Sequence, residues 1–251
     1  MAKNNVKKII KAVVCAAFWL GVWALLSLIV NKSVILPSPV ATVKKLWELL
    51  GTGAFYLSCL SSLGRVFLGF LTGVILGTSL AALSHAGGEF MISPAVSVVK
   101  ATPVASIIIV LLFFINRNIV PVTATLLMVV PIMYSNVLNG VRAVPKEARE
   151  VASVYRFGFG KRMKYCVIPA VSPYFSAGLK TAVGIAWKAG VAAEVLCTPT
   201  TSIGAALYDA KSTLESEELF AWTLTVIILS ILIEKLLVLG IFGIGGKKKH
   251  A

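Results

Sequence analysis

The sequence predicts an all-α polytopic membrane protein of about six transmembrane helices, and three observations carry that expectation. Charged residues make up 14% of the 251 positions and hydrophobic ones 58%, with a mean hydropathy of +0.91. An ordinary soluble domain runs near 25% charged, so this chain has too little polar surface to cover a globule. Its apolar runs stay apolar for about twenty residues, the length a helix needs to cross about 30 Å of hydrocarbon, whereas a barrel strand would alternate over about ten. Most Lys and Arg residues, finally, fall between and beyond those runs.

Six spans follow, at about 10–30, 62–84, 91–115, 119–139, 172–196 and 220–243, forming one transmembrane domain over 1–251. The first begins after a basic head, MAKNNVKKIIK, but the run behind it holds Trp19 and Trp23 and no small-x-small cleavage site. An uncleaved span is expected there rather than a secretory signal. The third and fourth runs contain Pro94, Pro103, Pro121 and Pro131, each able to kink or split a helix. The fifth is rich in small residues, Gly178, Ala182, Gly184, Ala186, Ala189, Gly190, Ala192 and Ala193, the composition of a helix that packs closely or lines a pore.

Orientation follows from the basic residues. The N-terminus (Lys3, Lys7, Lys8, Lys11), the segment between the fourth and fifth spans (Arg142, Lys146, Arg149, Arg156, Lys161, Arg162, Lys164) and the C-terminus (Lys247, Lys248, Lys249) hold most of them. An even number of spans puts both termini on one side, and the positive-inside bias makes that side the cytoplasm, together with the 140–171 segment. The net charge of +14 then reports topology, and no nucleic-acid partner is inferred.

Enzyme chemistry finds no support. The two His residues, His85 and His250, build no metal cluster, and the four Cys (15, 59, 166, 197) are scattered without a CxxC pair. GFGKR at 158–162 lacks the spacing and the Ser/Thr of a phosphate-binding loop. Any ATP-consuming step belongs to another chain.

The 140–171 segment is too polar for lipid. Pro145 stands at a first helical position, and Glu147 and Glu150 follow where the helix dipole favours acids. Ala148, Val151, Ala152 and Tyr155 recur at three and four, giving one apolar stripe on a charged short helix. Gly158 and Gly160 permit a sharp turn, after which KRMKYCVI begins a second helix that Pro169 interrupts at the membrane surface. Physics alone leaves two uses open for this hairpin: a knob seated in a partner's groove, or an amphipathic element held to anionic lipid by its bases.

Ionisable residues inside spans invite a functional reading by default. Lys100, Lys188 and Glu194 lie deepest. They stand open between lining a path for an anionic solute and fixing helix packing.

The 150–169 stretch resembles the EAA loop of permease subunits of bacterial ATP-binding-cassette importers: an acidic-small start at Glu150-Val151-Ala152 and Ile168-Pro169, 19 residues from Glu150 to Pro169. Val151 replaces the usual Ala, Ile168 the usual Leu, and Arg156 the usual Gly, leaving Gly158 or Gly160 to supply the turn. Further stretches are similar to the nitrate/sulfonate/taurine type: ILPSPVATVKKLWELL (35–50), the Ser-Leu-x-Arg start of SLGRVFLGFLTGVILG (62–77), KATPVASIIIVLLFFI (100–115), GIAWKAGVAAEVL (184–196) and FAWTLTVIILSILIEKL (220–236).

That resemblance implies a type I ABC importer permease fold in a bacterial cell membrane. It implies ABC ATPase subunits holding ATP and magnesium, with no cofactor on this chain, an extracellular or periplasmic solute-binding protein, and a second permease copy, favoured as a homodimer. The loop residues Glu147, Glu150, Val151, Ala152, Arg156, Gly158, Gly160, Ile168 and Pro169 would couple to the ATPase, with Glu150 making a charged contact and Ala152 keeping the helix close. A small anionic solute, sulfonate-, taurine- or nitrate-like, suits the type. The rival expectation is an ion-coupled secondary transporter, although no internal repeat is visible.

Overall fold

The computed structural model describes residues 2–245. The tail carrying Lys247, Lys248 and Lys249 lies outside the described residues, as do the side chains of Lys3, Lys7 and Lys8. Among the described residues eleven α-helices follow in chain order: α1 Ala2–Val30, α2 Pro39–Leu50, α3 Gly53–Leu83, α4 Glu89–Ala101, α5 Val104–Phe114, α6 Val120–Arg142, α7 Lys146–Val154, α8 Phe159–Arg162, α9 Ile168–Cys197, α10 Ile203–Ser212 and α11 Ser216–Gly245. Two π-helical turns, Ser84–Gly88 and Met163–Val167, join α3 to α4 and α8 to α9.

Four of these stretches are long and apolar enough to cross a membrane: Val13–Val30, Gly53–Ala101, Val120–Arg142 and Ser216–Leu237. The expected six thus stands at four by length and composition, and the differences have physical causes. Gly53–Ala101 runs for 49 residues, about 74 Å of helix, more than twice the hydrocarbon thickness. Gly87, at φ 118, breaks it, a backbone state that glycine enters without a Cβ penalty. From there α4 and α5 run back, so that Ile108 in α5 packs on Val120 and Ala124 at the start of α6. The return leg is itself divided at Thr102-Pro103. The remaining expected span, inside the 30-residue α9, carries Lys180, Lys188 and Glu194.

Of the flagged prolines only Pro103 splits a helix; Pro94 and Pro131 sit inside α4 and α6, and Pro121 in the first turn of α6. Pro169 departs from expectation as well, because it does not interrupt the helix that enters the bundle. It occupies the first turn of α9, directly after the π-helical turn Met163–Val167. A proline lacks the N–H that would bond four residues back and crowds that carbonyl; widening the preceding turn relieves both.

The centre is a three-helix contact. α3 and α6 run parallel, and Gly69, Gly73 and Gly77 of α3 face Val122 and Thr125, Val129, and Val130 and Met133 of α6. A Cβ at Gly77 would lie 2.8 Å from the Val130 carbonyl oxygen, and one at Gly73 2.7 Å from the Val129 Cβ. α9 runs antiparallel to both, burying Gly178, Ala182, Ala186, Ala189, Gly190 and Ala193. Its close packing is as the composition predicts.

Around this centre, Ser38 and Ser202 cap α2 and α10 by accepting from the Ala41 and Ala205 amides at 3.2 and 2.9 Å. α11 is held by Trp222 stacked on Phe55, centroids 5.0 Å apart, and by the Trp187 indole N–H donating to the Val226 carbonyl at 3.1 Å. Lys45 of α2 pairs with Glu218 of α11 at 3.2 Å. At the far end, Arg142 pairs with Glu89.

Gly77→Val is therefore expected to lower stability by about 1–3 kcal/mol through overpacking against backbone, read as an earlier thermal midpoint in detergent. Gly64→Ala, where a Cβ meets nothing within 4 Å, is the control and should keep or slightly raise the midpoint, since Ala favours the helix more than Gly.

Candidate functional site

The segment between α6 and α9 is organised by a small apolar cluster. Val144, Ala152 and Cys166 are buried, with Ala148, Phe157 and Ala170 packed against them, and the Cys166 thiol donates to the Ala148 carbonyl at 3.6 Å. Two alanines thus seat α7 on the start of α9. The stripe that the spacing suggests is divided by the structure: Ala148 and Ala152 face the bundle, while Val151 is 50% exposed and Tyr155 73% exposed. Glu147, Glu150 and Val154 share that open side. That open side thus carries two carboxylates beside three apolar side chains.

α7 ends in a Schellman motif. The Phe157 N–H donates to the Ala152 carbonyl at 2.8 Å and the Arg156 N–H to the Ser153 carbonyl at 3.0 Å, while Phe157 packs back on the cluster. The motif needs one left-handed residue, and that residue is Arg156, at φ 47. The expectation that Gly158 or Gly160 supplies the turn is corrected: Gly158 is extended (φ −64, ψ 163) and caps α8, and Gly160 lies within α8. The glycines after the motif do not substitute for one at its C′ position, because the bond pattern of α7 fixes which residue must turn. Ile168 and Pro169 lie exposed at the entry to α9.

At the opposite end of the bundle Glu194 is fully buried. Ser62 Oγ donates to its Oε2 at 2.6 Å, the Arg65 guanidinium to its Oε1 at 3.2 Å, and the Gly204 N–H to its Oε2 at 3.3 Å. The Ile203 N–H donates to Ser62 Oγ at 2.9 Å, and Arg65 also reaches the Thr200 and Thr201 carbonyls at 2.8 and 3.2 Å. One carboxylate thereby fixes α3, α9 and the N-terminal turn of α10, where orphan N–H groups favour an anion. A Cβ at Gly204 would come 2.3 Å from the Glu194 Cβ, so the contact requires glycine. Ser62 and Arg65 stand three apart on one helix face; in the sequence they mark the ends of the Ser-Leu-x-Arg stretch, with Arg65 an ionisable residue near the end of a span.

The structure does not bring Lys100, Lys188 and Glu194 together. Lys100 is exposed in the last turn of α4, before the break at Pro103. Lys188 stands on an exposed α9 stripe, Thr181, Ile185, Lys188, Ala192 and Leu196, opposite the packed face. Glu194 points inward.

Two measurements test this geometry. Arg156→Gly should strengthen the end of α7 by about 1 kcal/mol by removing a left-handed non-glycine residue, seen as slower hydrogen exchange of the Phe157 amide. Glu194→Ala should destabilise by about 3–5 kcal/mol because it strands Arg65 in a largely buried site. In a double-mutant cycle, Arg65→Gln with Glu194→Gln should then cost less than the two single changes added, measured as thermal midpoints in detergent.

Comparison with known proteins agrees with the family resemblance and with the all-helical fold. Residues 69–244 match the family described as binding-protein-dependent transport system inner membrane component. A protein described as an aliphatic sulfonates transport permease, SsuC of Bacillus subtilis (strain 168), is 27% identical over 84% of this chain and 78% of its own. The nitrate import permease NrtB of Synechococcus elongatus is 29% identical over 76% of this chain and 73% of its own. The bicarbonate transport permease CmpB of the same species is 30% identical over 64% and 59%. In fold, the chain resembles a solved amino acid ABC transporter, with a TM-score of 0.60 at 18% identity, covering 72% of this chain and 89% of that one. The chain belongs to the binding-protein-dependent transport system inner membrane components, and it is a permease subunit of an ABC importer.

Proposed function

We propose that two copies of this chain form the path of a small anionic solute, each docking a separate ATPase subunit through α7, with an extracellular or periplasmic binding protein delivering the solute. The observation that carries the coupling role is the open face of α7, where Glu147, Glu150, Val151, Val154 and Tyr155 stand outward while Ala148 and Ala152 anchor the helix on the start of α9. A partner gripping that face would move α9 with it, the differential contact that a two-state transporter requires. ATP and magnesium belong on the ATPase chain.

The anionic solute is supported by the relatives, whose names give sulfonates, nitrate and bicarbonate, and by Lys188 on the exposed stripe of α9, a costly position for a charge without a polar partner or water-filled surroundings. In this reading α9 and the α4–α5 leg cross the bilayer beside the four apolar helices, making six spans with both termini in the cytoplasm of a bacterial cell. Family membership favours this over an ion-coupled secondary transporter.

Co-purification in lipid with an ATPase subunit tests the coupling. The native chain should retain the ATPase, and Glu150→Lys should reduce retained ATPase or its solute-stimulated turnover by about tenfold or more, the loss expected when one charged contact becomes a repulsion. Equal retention and turnover in the variant would remove α7 from the coupling role.

A further inference from the structure

Behind α7 the bundle holds a cavity of ≈ 780 Å³, within the size range of small-molecule and cofactor sites. Its walls come from the end of α3, the π-helical turn after it, the last turns of α6 and the start of α9, and they are apolar: Val137, Val141, Val171 and Phe175. The charged groups are of one sign: Arg149 of α7 and Arg162 of α8 line it, with His85, Thr78 and Ser172 as further polar groups, and no Asp or Glu does among the described residues; the nearby Glu89 is engaged by Arg142. Thr78, also in the wall, has a buried hydroxyl oxygen without a hydrogen-bond partner among the described residues.

A hydrophilic solute gains nothing from an apolar slot of this size, and a bare hydrocarbon gains nothing from two guanidiniums. We propose that the cavity binds an anionic phospholipid, with acyl chain between Val137, Val141, Val171 and Phe175 and phosphate held by Arg149 and Arg162. The slot lies where the end of α3 and the start of α9 meet the polar 140–171 segment, and basic pockets between helices next to such a segment suit anionic lipid. Guanidinium forks match phosphate in geometry and charge. The bound lipid tethers α7 and α8 to the bundle, so its occupancy sets how firmly the α7 platform is seated. The inference needs only that the chain is embedded in a membrane, and its failure would leave the permease assignment untouched.

The test is native mass spectrometry of the full chain, delipidated in detergent and titrated with phosphatidylglycerol or phosphatidylcholine. The native chain should take up one phosphatidylglycerol in preference to phosphatidylcholine. Arg149→Gln with Arg162→Gln should weaken that uptake by about tenfold or more, while Arg149→Lys with Arg162→Lys, which keeps the charge but loses the fork, should weaken it less. Ala82→Phe, which fills the slot from α3 and leaves both arginines in place, should weaken uptake as strongly and keeps the test decisive if the double Gln variant does not fold. Uptake unchanged by the Gln pair or by Ala82→Phe, or equal uptake of the two lipids, would overturn the proposal. So would displacement of phosphatidylglycerol by millimolar inorganic phosphate, which would mark the site as one for a small free anion.

Discussion

Inside a bilayer no water drives apolar faces together, so helices that stay in contact must do so by bringing their backbones close. α3, α6 and α9 meet this demand with small residues. Gly69, Gly73 and Gly77 present one side-chain-free edge at four-residue spacing, and Thr125, Val129 and Met133 of α6 fill it. Gly190 of α9 closes the third side, where a Cβ would lie 2.4 Å from Val66 Cγ2. The two polar assemblies at either end of the bundle depend on this contact for their position. Ser62 and Arg65 sit where they do because α3 is locked to α9, and Val144 is buried over α7 because α6 and α9 end side by side.

The two ends use polarity differently. At the Glu194 end the carboxylate is dry, and each of its oxygens has at least one donor from another element. Such a site is costly to break and uniquely oriented. At the α7 end the carboxylates of Glu147 and Glu150 face outward and the anchoring is done by alanines and one cysteine. The first end holds its parts in one arrangement; the second presents an open surface of acidic and apolar side chains.

Much of this was legible in the sequence, for reasons particular to each element. The outline of α1, α6 and α11 follows from apolar length alone, whereas α2 was marked only by the resemblance of the 35–50 stretch to the family. The position of α7 follows from Pro145 and the acids behind it, because capping chemistry is local. What the sequence hid depends on contacts across the fold. The division of Ala148 and Ala152 from Val151 and Tyr155 is set by where Cys166 and Val144 arrive, and no periodicity carries that. The turn at Arg156 was misplaced because a left-handed position normally advertises itself with a glycine, and here glycines stand two and four residues later. Glu194 could not be assigned from its own span, since its partners lie 132 and 129 residues away. The Gly69, Gly73 and Gly77 series, by contrast, was in plain view as a repeat of four and would have named the packed edge of α3.

The π-helical turn before Pro169 has a mechanical implication. Because the chain does not break there, α8, the widened turn and α9 form one uninterrupted strut from Phe159 to Cys197. The 30 residues of α9 alone extend about 45 Å, so a tilt of only about 5° at one end sweeps the other through about 4 Å. A widened turn is also the softest point along such a strut, one place where bending is absorbed without losing the hydrogen-bond ladder. The stiffness of five residues, Met163–Val167, therefore sets what fraction of any displacement at α7 is transmitted to the Glu194 end and what fraction is dissipated at the membrane surface.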